Sequence, residues 1–281
     1  RSTAAETAAP SGQPAGASHR ATQDSCAATG AAPRSPARNA MVTARNGTGA
    51  TYHARMRPMA PFDDRATLLQ WIETQPGLAA LRDDVRERMS VDPDPGHDLD
   101  HALRVALWTV RLAPEVDRRE AVAAALLHDV VNLPKNHPER ASAGERSAAL
   151  ARELLPPLGF GAQATERVAA AIRDHGYSRG VVPESPLGRA LQDADRLEAL
   201  GALGLCRTLS TGARMGARYF HPQDPWAQDR ELDDRAFTVD HFFTKLLRLA
   251  PTLQTEAGRA EAHRRAAFME RFLDQLREEI A

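Results

Sequence analysis

A His128-Asp129 pair closes the apolar run Ala121-Val122-Ala123-Ala124-Ala125-Leu126-Leu127. Two adjacent polar groups at the end of a buried helix need partners. A divalent cation would satisfy both, since imidazole and carboxylate are good ligands for borderline and hard metals. So would a plain helix end, with the imidazole capping carbonyls and the aspartate starting a turn, and the rest of the chain must decide. His101, in Gly96-His97-Asp98-Leu99-Asp100-His101-Ala102-Leu103-Arg104-Val105, shares a helical face with Arg104 and Val105. Asp195 falls on the same helical face as Leu191, Ala194 and Glu198. A carboxylate on such an inner face needs a cation or a donor. Together His101, His128, Asp129 and Asp195 offer two imidazoles and two carboxylates, a mixed set that leaves coordination positions for water and substrate.

The elements that must carry these residues read as helices throughout. Ala, Leu and Arg are plentiful and aromatics make up only 5%, which favours helix over sheet. Asp63 or Asp64 caps a first helix, Leu78 to Met89 forms a second, and Asp98 caps a third that runs to about Leu112. Asp117 with Glu120, and Ser142 with Glu145, have the spacing of capping boxes. A further helix runs from about Gln163 to Asp174, and Ser185-Pro186 starts the one that carries Asp195. Asp193 points away from that inner face, toward the surface or a supporting position. Gly201 and Gly204 mark close helix packing or a kink. Residues 211–234 read as a lid or insertion over a pocket, with helix resuming near Arg235. A final helix, Glu256 to Ile280, has Phe268, Phe272, Leu273, Leu276 and Ile280 as its core stripe. The expectation is an all-α, single-domain fold over 61–281. Residues 1–60 are rich in Ala, Ser, Thr, Gly and Pro and read as a disordered tail, with a transit peptide or a natural start at Met41, Met56 or Met59 as alternatives.

Composition narrows the partners. A formal net charge of −1 gives no general attraction to nucleic acid or membrane. No apolar run reaches the ~18 residues of a membrane span. Cys26 and Cys206 sit in dissimilar contexts, so no structural disulfide is expected, which fits a reducing cytoplasm. The loop after the His-Asp pair holds Lys135, Asn136, His137 and Arg140, side chains that bind phosphate oxygens or are simply solvated. His175, followed by Gly176, caps carbonyls or faces the same pocket as His128.

The order His, then His-Asp, then a distal Asp resembles the HD-domain superfamily of metal-dependent phosphohydrolases. It is carried by His101-Ala102-Leu103-Arg104-Val105, by His128-Asp129 after Ala125-Leu126-Leu127, and by Asp193-Ala194-Asp195-Arg196-Leu197-Glu198. Pro134 to Arg140, and Asp240-His241-Phe242 with Lys245-Leu246-Leu247, look like a small subgroup of stand-alone bacterial HD proteins. The resemblance spans about residues 97 to 275. It implies a helical bundle around one divalent metal held by His101, His128, Asp129 and Asp195, with Mn²⁺ first and Mg²⁺, Co²⁺, Ni²⁺, Fe²⁺ or Zn²⁺ as alternatives. It implies hydrolysis of a nucleotide or other small phosphate, and some relatives of the subgroup split nucleoside triphosphates into monophosphate and pyrophosphate. His175 matches a region where two-metal members place further histidines. On this reading Asp129 belongs to the catalytic machinery, and Glu198 or Asp98 orients the attacking water. Lys135, then Arg104 and Arg140, with His137 and His175, bind the substrate. A di-iron oxygenase of the same superfamily and a non-catalytic nucleotide-binding regulatory module are the alternatives.

Overall fold

The computed structural model describes residues 62, 64–91, 96–133, 137–176 and 179–280. The expected tail and its boundary lie outside these. Among the described residues there are ten α-helices and no strand, as the composition suggests. They are α1 (Arg65–Thr74), α2 (Leu78–Val91), α3 (Leu99–Leu112), α4 (Arg118–Leu127), α5 (Ala143–Leu154), α6 (Ala162–Asp174), α7 (Pro186–Glu198), α8 (Gly201–Arg214), α9 (Asp240–Thr244) and α10 (Glu256–Ile280).

The bundle is built on α3, which packs against both α4 and α7, while α6 closes on α4 and α7. Every residue of α4 from Glu120 to Leu127 is buried. A helix enclosed on all sides must be apolar all round, which accounts for its alanine-rich sequence. Small side chains also let neighbouring backbones approach, so the C-terminal end of α4, where His128 sits, is rigidly seated.

Side-chain caps set several helix starts. Asp64 forms a reciprocal box with Thr67. Asp98 accepts from the His101 amide at 2.8 Å, Asp117 from Glu120 at 3.1 Å, and Ser185 from Gly188 at 3.0 Å. Two expected boxes are incomplete. Glu120 turns away from the α4 start to pair with Arg167, its Oε2 accepting from Nε at 2.9 Å. Ser142 already has helical dihedrals at the end of a 3₁₀ turn, and its hydroxyl donates to Glu139 O. Ser185→Ala is expected to lower stability by about 1 kcal/mol, a melting shift of ~2–4 °C readable by calorimetry.

Two further expectations are corrected, and a third, the place of Asp193, is resolved in favour of a supporting position. Helix does not resume at Arg235 but at Asp240. Ala236 O, Thr238 N and Val239 N instead bond to the backbone of Arg218 and Tyr219, so these groups serve a bridge rather than a helical turn. The buried stripe of α10 is Ala262, Ala266, Met269 and Leu273, with Phe272 and Leu276 partly buried beside it and Phe268 exposed. Asp193 is not near the surface but fully buried. Its carboxylate accepts from the amides of Gln254 and Thr255 and from the Thr255 hydroxyl. Gly204 does mark a close approach, since a β-carbon there would lie 2.3 Å from the Ala199 carbonyl.

Candidate metal centre

α3, the end of α4 and α7 bring His101, His128, Asp129 and Asp195 to one point. One ligand atom from each lies within 4.8 Å of all the others. His101 Nε2 is 3.2 Å from His128 Nε2 and 3.6 Å from Asp195 Oδ1. His128 Nε2 is 3.5 Å from Asp129 Oδ2. Both imidazoles are fully buried, whereas the carboxylates keep a face toward an opening.

Local backbone fixes the orientation of the rings. His128 Nδ1 lies 2.7 Å from Ala125 O, and His175 Nδ1 lies 2.6 Å from Ile172 O. A carbonyl only accepts, so each Nδ1 carries the hydrogen. His128 Nε2 therefore presents a lone pair toward His101. Burial holds both His101 and His128 below the ordinary imidazole range, helped at His101 by the Arg207 charge, which keeps them neutral as ligands must be. Burial alone would raise Asp129, but His128, His175 and His97 hold it well below the usual carboxylate range. Burial and Asp129 act to raise Asp195, and His128, His101 and His175 outweigh them. Against a burial effect that lowers it, His175 is pushed up to about 9 by Asp129, whose Oδ1 is 3.4 Å from Nε2.

The opening is a cavity of about 680 Å³, within the range of small-molecule sites. Asp129, Asp195 and His175 line it, together with Arg140, Arg173, Arg179, Arg207, Arg235 and Lys245. Thr211, Gly212, Met215 and Asp234 also line it, so the two ends of the segment read as a lid border the pocket.

The structure separates the remaining expected residues. Arg140 and His175 line the cavity. Lys135 lies outside the described residues. Arg104 is turned to Glu198, with Nε donating to Oε2 at 2.7 Å, and does not line the cavity. His137 accepts from the Glu139 amide within its own loop. Asp98 is the α3 cap. Glu198 is buried behind His101, with Oε2 3.4 Å from Nδ1, a place for holding that ring rather than for orienting water in the cavity.

Two residues at the centre carried no sequence signal of their own. His97 Nε2 is 3.8 Å from Asp129 Oδ2. It precedes the Asp98 cap, so helical periodicity assigns it no face. Arg207 on α8 reaches His101 Nδ1 at 2.8 Å, a contact across 106 positions that no local pattern encodes.

The HD domain family profile matches residues 98–200. Over 200 residues the chain is 32% identical to the uncharacterised protein YpgQ of Bacillus subtilis strain 168, an alignment covering 67% of this chain and 87% of that protein. The crystal structure of YpgQ in complex with ADP is similar at a TM-score of 0.56 and 29% identity, covering 72% of this chain and 97% of that one. An HD-superfamily hydrolase from Bacillus thuringiensis is similar at a TM-score of 0.55 and 29% identity, covering 75% and 97%.

Proposed function

Because the chain belongs to the HD-domain superfamily, we propose that it is a metal-dependent phosphohydrolase acting on a nucleotide or another small phosphate compound. The observation that carries this reading is the convergence of His101, His128, Asp129 and Asp195 at the wall of a cation-lined cavity. The donor set suits a divalent ion. Two neutral imidazoles face each other through Nε2 at 3.2 Å, and two ionised carboxylates complete the group. Mn²⁺ is the first choice, since mixed imidazole and carboxylate ligation suits it.

When bound, the metal supplies a Lewis acid and lowers the pKa of a coordinated water. The chain's own residues do the rest. Arg140, Arg235 and Lys245 place positive charge along the cavity, where charge on transferring phosphoryl oxygens is stabilised. His175, kept cationic by Asp129, adds a donor beside the ligand cluster. Arg104 and Glu198 hold His101 from behind. The ADP bound by YpgQ supports a nucleotide as ligand here too. The finer reading is a nucleoside triphosphate split into monophosphate and pyrophosphate.

The test is a panel of nucleotides and phosphomonoesters assayed with several divalent metals and with product identification. Activity is expected to vanish on chelation, return with Mn²⁺, and yield pyrophosphate and nucleoside monophosphate in equal amounts. Orthophosphate release would replace this with a phosphatase reaction, and nucleotide binding without turnover would favour the regulatory alternative. His97 and His175, flanking Asp129, bring the nearby donors to the number a di-iron oxygenase would use. Metal content separates the two: one ion per chain is expected, whereas two irons with oxygen uptake would favour the oxygenase.

A further inference from the structure

We propose that Arg207 and Glu198 are opposed positioning residues for His101: Arg207 stabilises the ring in its metal-free tautomer, and Glu198 stabilises it in the ligating one. The inference rests on the metal centre proposed above and concerns how the chain prepares one of its ligands.

The fixed point is His128. Its Nδ1–H is held by Ala125 O at 2.7 Å, so its Nε2 lone pair is directed at His101 Nε2, 3.2 Å away. His101 can answer in two ways. With its hydrogen on Nε2 it donates to His128, and its Nδ1 lone pair accepts from Arg207 Nη1 at 2.8 Å. With its hydrogen on Nδ1 it donates to Glu198 Oε2 at 3.4 Å. The Nε2 lone pairs of both rings then point at the space bordered by Asp129 and Asp195, which is the arrangement a cation needs.

These two states exclude one another. A guanidinium has donors and no acceptor, so Arg207 cannot stay at 2.8 Å from a protonated Nδ1. Glu198 is held for its part by Arg104, whose Nε donates to the same Oε2 at 2.7 Å. Arg207 Nη1 also lies 4.0 Å from that oxygen, which gives a displaced guanidinium an acceptor close by. Moving the hydrogen from one ring nitrogen to the other changes no net charge. The competition is therefore one of hydrogen-bond partners around a single imidazole. A carboxylate behind a metal-bound histidine is a common means of fixing its tautomer; the opposing arginine is the feature that makes loading a contest.

The test reads the tautomer directly. Long-range ¹H–¹⁵N NMR of the full chain is expected to show His101 protonated on Nε2 without metal and on Nδ1 after Zn²⁺ is added. Calorimetric titration with Mn²⁺ is expected to give roughly 5–10-fold tighter binding for Arg207→Met, the equivalent of one lost competing hydrogen bond. Glu198→Gln is expected to bind about 10–100-fold more weakly. A metal-free wild type already protonated on Nδ1 would overturn the proposal, as would unchanged or weaker Mn²⁺ binding in folded Arg207→Met. Because Arg207→Met also removes a nearby positive charge, the NMR result decides between a tautomer contest and simple repulsion: no tautomer change on Zn²⁺ loading would leave repulsion alone and overturn the inference. A wild type that binds no divalent metal at all would overturn the metal-centre reading, and this inference with it.

Discussion

Replacing Asp129 with alanine is expected to lower kcat/KM by roughly three orders of magnitude or more, the size of losing several kcal/mol of metal-assisted charge stabilisation. Asp129 is the residue on which the centre converges. Its Oδ2 is 3.5 Å from His128 Nε2 and 3.8 Å from His97 Nε2, and its Oδ1 is 3.4 Å from His175 Nε2. Those imidazoles overcome burial and keep the carboxyl well below its usual range, so it is a full negative charge at any assay pH near neutral. Alanine removes a ligand and also the counter-charge that holds His175 protonated. The variant should retain the fold, because Asp129 follows α4 and is only partly buried. Helical content by circular dichroism and metal content by mass spectrometry check both halves. Wild-type turnover in a folded, metal-free Asp129→Ala preparation would remove the basis of the proposed function.

The convergence of His101, His128, Asp129 and Asp195 is legible in the sequence because each has a local signature. His128-Asp129 ends an apolar helix, His101 shares a face with Val105, and Asp195 shares one with Leu191 and Ala194. Periodicity places a residue on an inner face, and polar residues on inner faces are few enough to be matched with one another. The helix starts at Asp64, Asp98, Asp117 and Ser185 were readable for the same reason, as capping is a short-range hydrogen bond. What failed was everything decided by long-range pairing. Glu198 lies one turn from Asp195, so the helical wheel puts both at the centre. Only the positions of α3 and Arg104 show that Glu198 turns behind His101. Arg104 itself has the charge to bind phosphate, but that charge is taken up by a carboxylate 94 positions away. Arg207, and the bridge of 236–239 to 218–219, depend on the same kind of distant contact.

Periodicity turns Asp193 away from the inner face and leaves surface and supporting positions open; the structure gives it the supporting one, which supplies the second large prediction. Asp193→Ala is expected to lower stability by about 3 kcal/mol, a fall in melting temperature of ~6–12 °C for a domain of this size. The carboxylate is fully buried and ties α7 to the start of α10. Gln254 N donates to Oδ1 at 2.8 Å, and Thr255 N and Oγ1 each donate to Oδ2 at 2.7 Å. Burial raises this carboxyl group, and the donors from Gln254 and Thr255 oppose that effect. Removing the acceptor leaves those donors without a partner in a closed space, which costs more than the bonds themselves contribute. Gly258 belongs to the same joint, since a β-carbon there would meet Asp193 Oδ2 at 2.7 Å and Thr255 Oγ1 at 2.5 Å. Gly258→Ala should therefore destabilise as well. Asp193 is two residues from Asp195 yet faces the opposite way, so its loss should weaken the scaffold and spare the ligands. Saturating metal separates the two effects. At a hundredfold excess over Kd it adds about 2.7 kcal/mol to any chain with an intact centre. Asp193→Ala should thus start lower and rise on metal addition as the wild type does, whereas Asp129→Ala should not rise. An Asp193→Ala variant that melts with the wild type would mean that α10 is seated by its apolar stripe and by the bond from Arg265 to Leu197 O, without need of Asp193.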